Sequence, residues 1–140
     1  MPTEAVVDSS VVSALVTLEE SSEWAQARMR EYEYLHILDL NYYEVAEAIR
    51  HKVSDRLSVK DAMKAFTEAA ELMSLYTIHS FSEVIADAMA VALELKITVY
   101  DAAFLALADK FGMRLLTLDV KLAKKLESTR YSRVIEFPGM

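Results

Sequence analysis

The sequence predicts a three-layer α/β/α sandwich around a mostly parallel central sheet. Short apolar, β-branched runs alternate along the chain with amphipathic helical stretches, the pattern of a parallel sheet covered on both faces. The 140 residues are 54% hydrophobic and 26% charged, with two Gly and two Pro, which suffices for one packed core without disulfides or a structural metal. No repeat, low-complexity run or Pro/Gly/Ser linker divides the chain, so residues 1–140 are read as one domain.

The elements follow in order. Ala5-Val6-Val7 is a buried strand ending at Asp8. Ser9 and Ser10 come next, then Val11, Ala14 and Leu15 at helical spacing. Ser21 to Tyr34 reads as a mixed-charge helix. Its Trp24, Ala25, Ala27, Met29 and Tyr32 form a stripe that belongs to the core by default and to an exposed groove otherwise. His36-Ile37-Leu38 is a second strand. A helix begins near Asn41, with Val45, Ala48, Ile49 and Val53 as its apolar face. Ser58 opens the next with Asp61 in the capping-box position, and Ala62, Ala65, Phe66, Ala69 and Leu72 point inward. Leu75 to Ile78 is a strand candidate. Ser80 caps a helix with Glu83 at its third position and Val84, Ala88, Val91 and Ala92 inside. Thr98 starts a strongly apolar helix through Ala102, Ala103, Leu105, Ala106 and Leu107, which Gly112 stops. Arg114 to Leu118 is a strand ending at Asp119. A short basic helix, Val120–Leu126, and a final strand, Val134–Phe137, complete the set.

Charge and composition narrow the function. Fifteen basic against 22 acidic residues give a net charge of −7, which argues against nucleic-acid binding through a broad basic face. With no cysteine there are no disulfides, thiolate zinc sites or cysteine nucleophiles, in keeping with a reducing cytoplasm. The N-terminus lacks a basic region followed by a long apolar one, and no stretch is apolar enough to span a membrane. Two glycines cannot build a phosphate-binding loop, which removes kinases, GTPases and Rossmann dehydrogenases.

Four acids carry the chemistry. Singly, each has a structural explanation: Asp8 and Asp119 as helix caps, Glu44 closing a box with Asn41, and Asp101 doing the same with Thr98. Jointly they call for more. Helices that begin at one edge of a doubly wound sheet bring acids in their first turns together, and such carboxylates repel one another. A hard divalent cation, Mg²⁺ or Mn²⁺, relieves that repulsion and keeps positions free for substrate phosphate, so the ion rather than a basic surface attracts the polyanion.

The chain resembles the PIN domain over essentially its whole length, and in particular the VapC-type toxins of prokaryotic toxin–antitoxin pairs. Val6-Val7-Asp8-Ser9-Ser10 is similar to the family's opening strand, acid and hydroxyl pair. Tyr42-Tyr43-Glu44-Val45-Ala46 is similar to the segment of the second acid. Tyr100-Asp101-Ala102-Ala103-Phe104-Leu105-Ala106-Leu107-Ala108 is the most specific match, and Leu115-Leu116-Thr117-Leu118-Asp119 is similar to the last strand with its Thr-x-Asp ending. The resemblance implies a PIN-like α/β/α sandwich and Mg²⁺- or Mn²⁺-dependent endonucleolytic cleavage of RNA. It implies Asp8, Glu44, Asp101 and Asp119 as catalytic metal ligands, with Ser10 and Thr117 as supporting hydroxyls. It further implies a small antitoxin partner and a homodimer; the lack of cysteine fits a cytoplasmic location, and two glycines leave no nucleotide cofactor expected. Val120 and Lys121 stand where many members carry a further acid, which leaves one or two ions open.

Further features have two readings. Lys110, Arg114, Lys121, Lys124, Lys125, Arg130 and Arg133 form either a solvated face or an RNA-guiding edge. His36, His51 and His79 show no metal-ligand spacing. The helix around Trp24 is where an antitoxin is expected to dock. A haloacid-dehalogenase phosphatase needs Asp-x-Asp after its first strand, and a receiver domain needs an acidic pair; neither motif is here. Within the PIN reading, a catalytically weak binding module and a housekeeping RNA-processing nuclease are the alternatives.

Overall fold

The computed structural model describes residues 3–139. Strands β1 (Glu4–Val7), β2 (Tyr34–Leu38), β3 (Thr77–His79), β4 (Arg114–Leu116) and β5 (Ile135–Glu136) form one sheet in the order β3-β2-β1-β4-β5. Every pairing is parallel. Parallel neighbours need crossover connections. Most are helical here: α1 (Ser9–Val16), α2 (Ser22–Met29), α3 (Leu40–His51), α4 (Val59–Met73), α5 (Ile85–Leu95), α6 (Val99–Phe111) and α7 (Val120–Leu126). The chain builds outward from β1 to β3, and β4 then returns to the other side of β1. That reversal opens a crevice beyond the carboxyl ends of β1 and β4, the usual ligand position in such sheets.

Strand alternation sorts the core into two halves. Val6, Leu38, Leu115 and Ile135 face α5, α6 and α7, while Ala5, Val7, Ile37 and Leu116 face α1 to α4. Burial on both faces explains why the strands read as unbroken apolar runs. Helix α6 is apolar on all sides because Ala102 to Ala108 are all buried. Gly112 closes it at φ 65°, a left-handed position that glycine takes without steric cost.

Several local expectations shift under pairing. The second helix ends at Met29, not Tyr34, because the N–H groups of Glu33 and Tyr34 both bond the Thr3 carbonyl, at 2.9 and 3.0 Å, and start β2 alongside β1. Ala25, Met29 and Tyr32 are buried and the half-buried Trp24 packs against them, while Ala27 is exposed, so most of the stripe is core. The third strand runs Thr77–His79 rather than from Leu75, in register with β2. Ser80 caps a 3-10 turn, Phe81–Glu83, and the long helix starts only at Ile85. Val53 falls beyond α3, and Met73 joins the inner face of α4.

The histidines are not all scattered in space. Leu38 pairs with His79, so His36 and His79 lie on the same face of neighbouring strands, with Nδ1 and Nε2 2.9 Å apart. Glu4 and Glu83 bracket the pair at 3.0 and 3.1 Å. His51 stands apart, exposed at the end of α3.

Candidate active site

Each acid is set by the element that carries it. Asp8 follows β1 in extended backbone at the start of α1, yet its side chain makes no capping bond. Its Oδ2 instead accepts from the hydroxyls of Ser10, at 3.1 Å, and Thr117. Both hydroxyls are themselves held: Ser10 Oγ accepts the Leu118 N–H and Thr117 Oγ1 the Asp119 N–H, each at 3.0 Å. The two loops at the β1–β4 reversal are thus laced together around one half-buried carboxylate. Asp119 caps α7, its Oδ1 accepting from the Leu122 N–H at 3.0 Å. Asp101 sits in the first turn of α6, where its N–H donates to Thr98 Oγ1 at 3.1 Å.

Glu44 departs from the capping box expected with Asn41. Asn41 lies inside α3, fully buried, where its side-chain carbonyl accepts from the Leu38 N–H and its amide donates to the Val7 carbonyl. It ties the ends of β1 and β2 together and leaves Glu44 free. Ser9 donates to Glu44 at 3.0 Å, a role the sequence hinted at only through the adjacent Ser9-Ser10 pair.

Repulsion couples the acids in pairs: Asp8 with Asp119, Glu44 with Asp8 and Asp101, and Asp101 with Asp8 and Asp119. Burial pushes Asp8 above the ordinary aspartate range against the hydroxyl bonds that favour its charge, and Asp119 adds to the rise. Burial lifts Glu44 to about 7, with Asp8 and Asp101 contributing by repulsion. Burial raises Asp101 as well, helped by Asp8 and Asp119. Among the described residues no ion pair includes any of the four. Asp8, Glu44 and Asp101 are desolvated and repelled by neighbouring carboxylates, and carboxylate oxygens are the donors a hard divalent cation prefers. Among the described residues, no three or more His, Cys, Asp or Glu side chains are grouped closely enough to hold a metal ion as they stand.

The late basic residues do not form one edge around this cluster. Lys121 lies in the first turn of α7, two residues after Asp119, and Lys125 acts on Asp101. Arg114 begins β4 and Lys110 closes α6, both at the far pole of the sheet. Arg130 pairs with Glu94 and Asp109.

The sequence profile of the PIN domain matches residues 5–126. Ribonuclease VapC3 of Pyrobaculum aerophilum is 44% identical over 121 residues, covering 86% of this chain and 92% of that protein. A toxin–antitoxin complex from Klebsiella pneumoniae contains a similar fold, with TM-score 0.70 and 18% identity over 96% of this chain and 97% of that one. The crystal structure of PAE2754 from Pyrobaculum aerophilum gives TM-score 0.65 and 29% identity over 89% of this chain and 86% of that one. On the profile match and the identity to VapC3, the chain belongs to the PIN-domain family, among its VapC-type ribonucleases.

Proposed function

We propose that this VapC-type ribonuclease cuts RNA phosphodiester bonds internally, as the toxin of a toxin–antitoxin pair, and that Asp8, Glu44, Asp101 and Asp119 hold Mg²⁺ or Mn²⁺ for the reaction. The observation that carries the reading is the cluster itself: desolvated carboxylates at the β1–β4 reversal, coupled by repulsion and unpaired with any cation. A bound divalent cation supplies Lewis-acid stabilisation of the phosphate and a more acidic water. The chain's own groups do the rest. Ser10 and Thr117 orient the Asp8 carboxylate, and Ser9 orients Glu44. Asp119 is held by the first turn of α7. No nucleotide cofactor is required.

The wider reading includes an antitoxin partner, which the Klebsiella pneumoniae toxin–antitoxin complex supports by its fold. Met89 and Leu93, exposed on the outer face of α5, support a homodimer. No helix among the described residues is long and apolar enough to cross a membrane, and the cytoplasm is the proposed location. One domain over residues 1–140 is the proposed organisation. The test is cleavage of end-labelled RNAs by wild type and Asp101→Asn with Mn²⁺, Mg²⁺ or EDTA. Metal-dependent cutting by wild type, lost in the variant, is expected. Equal cutting by both, or cutting in EDTA, would refute the carboxylate mechanism.

A further inference from the structure

Asp119 caps α7, and Lys121 and Lys125 follow in its first and second turns. Spaced i, i+4 on a helix of about 3.6 residues per turn, the two lysines point within about 40° of each other. Leu122, Ala123 and Leu126 are buried on the inner side of α7, and both lysines are exposed. A helical side chain leans toward the N-terminal end of its helix, here the end that Asp119 caps. The Lys125 charge accordingly reaches the crevice, where it offsets part of the rise at Asp101. Other cations are engaged elsewhere: Arg130 pairs with Glu94 and Asp109, and Lys52 with Glu19. Among the described residues no ion pair includes Lys121 or Lys125.

We propose that Lys121 and Lys125 form a phosphate clamp, which holds the RNA backbone phosphate next to the one at the carboxylates. The proposal rests on the ribonuclease reading above and names the residues that seat the substrate backbone. When Asp8, Glu44, Asp101 and Asp119 are all ionised around one divalent ion, two negative charges remain in the crevice. These repel the phosphates on either side of the bound one. Two ammonium groups at the rim cancel them. A chain of net charge −7 has no broad basic face to do this instead. Lysine suits the task, because its ammonium is a compact charge with three donors on a flexible stem and takes a phosphate oxygen without demanding one fixed geometry. Phosphate contacts fix the register of a strand and carry no sequence information, so the clamp acts on KM and not on the choice of cut sequence.

The test uses short single-stranded RNAs in which one phosphate at a time is a neutral methylphosphonate. Anisotropy of the labelled strands with full-length protein gives Kd in EDTA, and cleavage with Mn²⁺ gives kcat and KM. The proposal predicts that neutralising one linkage beside the cut raises wild-type KM roughly three- to tenfold, with kcat within about threefold. In the double variant Lys121→Gln with Lys125→Gln, KM is already raised and the same replacement adds less than about twofold. Its plot of log KM against log salt should be shallower by about 0.7 per lysine removed. The paired Lys→Arg changes should keep wild-type behaviour. Both lysines are exposed, so the variants should fold, and Lys110→Gln, which removes an exposed charge at the far pole, should alter none of these readouts. Equal methylphosphonate sensitivity in wild type and double variant would overturn the proposal. So would a change confined to the Mn²⁺ concentration needed for cutting, since the lysines would then only counter the acids. Lysine-dependent, methylphosphonate-sensitive binding without metal-dependent cutting by wild type would support the clamp and sink the ribonuclease reading instead. A wild type that neither binds nor cuts these strands would sink both.

Discussion

Replacing Glu44 by Gln removes one negative charge from the crevice while keeping an oxygen for the Ser9 hydroxyl. The step from 4.5 to about 7 sets a ceiling of about 3 kcal/mol on the cost of ionising Glu44 in the folded chain, at about 1.4 kcal/mol per pH unit. Glu44 is only partly buried, and screening by water brings the figure to about 1–2 kcal/mol. The sign follows from linkage. Below pH 4.5 folded and unfolded chains both hold the proton, and there is no penalty. Between 4.5 and about 7 the unfolded chain releases it first, so the metal-free folded state loses stability as pH rises, and the full penalty is present above about 7. Glu44→Gln should therefore melt about 3–8 °C higher than wild type at pH 8 in EDTA, and the gain should vanish near pH 4. Added Mn²⁺ should reverse the order. A thousand times its Kd stabilises wild type by about 4 kcal/mol, more than the gain from the substitution, and the variant by less. Thermal melts from pH 4 to 9, with EDTA and with Mn²⁺, make the comparison. A variant no more stable than wild type at pH 8 in EDTA would refute the argument that burial, helped by repulsion from Asp8 and Asp101, penalises the Glu44 carboxylate.

Other substitutions test the frame. Asn41→Ala leaves the Leu38 N–H and Val7 carbonyl buried without partners and should cost about 2–5 kcal/mol in a denaturant titration. Thr117→Val keeps the shape but removes the hydroxyl from Asp8 and the acceptor from Asp119 N–H. It should cost about 1–3 kcal/mol in denaturant and slow RNA cleavage, and unchanged cleavage would show that Asp8 needs no orienting. Glu136→Leu removes the acceptor shared by Arg28 and Tyr32 beneath β5. Tyr32, held at about 12 by burial and that carboxylate, should then titrate at lower pH in an ultraviolet absorbance titration, because burial alone remains to raise it.

The sandwich and its acids were legible because their signals are local. Asp8 and Asp119 end apolar runs, and Thr98 with Asp101 marks a helix start, so their common edge follows from alternation alone. What stayed hidden depends on pairing between distant segments. Tyr34 is a strand residue because β1 lies beside it, against the helical tendency of the preceding turn. His36 and His79 meet only through the β2–β3 register. Asn41 looks like a helix cap in sequence and serves as a strand tie in space, because the buried ends of β1 and β2 need an acceptor and a donor there. A cavity lined by Tyr43 and Tyr100 likewise arises from two helix starts 57 positions apart, and no local pattern announces it.

Anomalous diffraction from crystals soaked in Mn²⁺ tests the central claim most directly. The account predicts a peak among Asp8, Glu44, Asp101 and Asp119, and its loss or marked weakening in Asp101→Asn. A peak elsewhere, or none while wild type still cuts RNA in Mn²⁺, would contradict it.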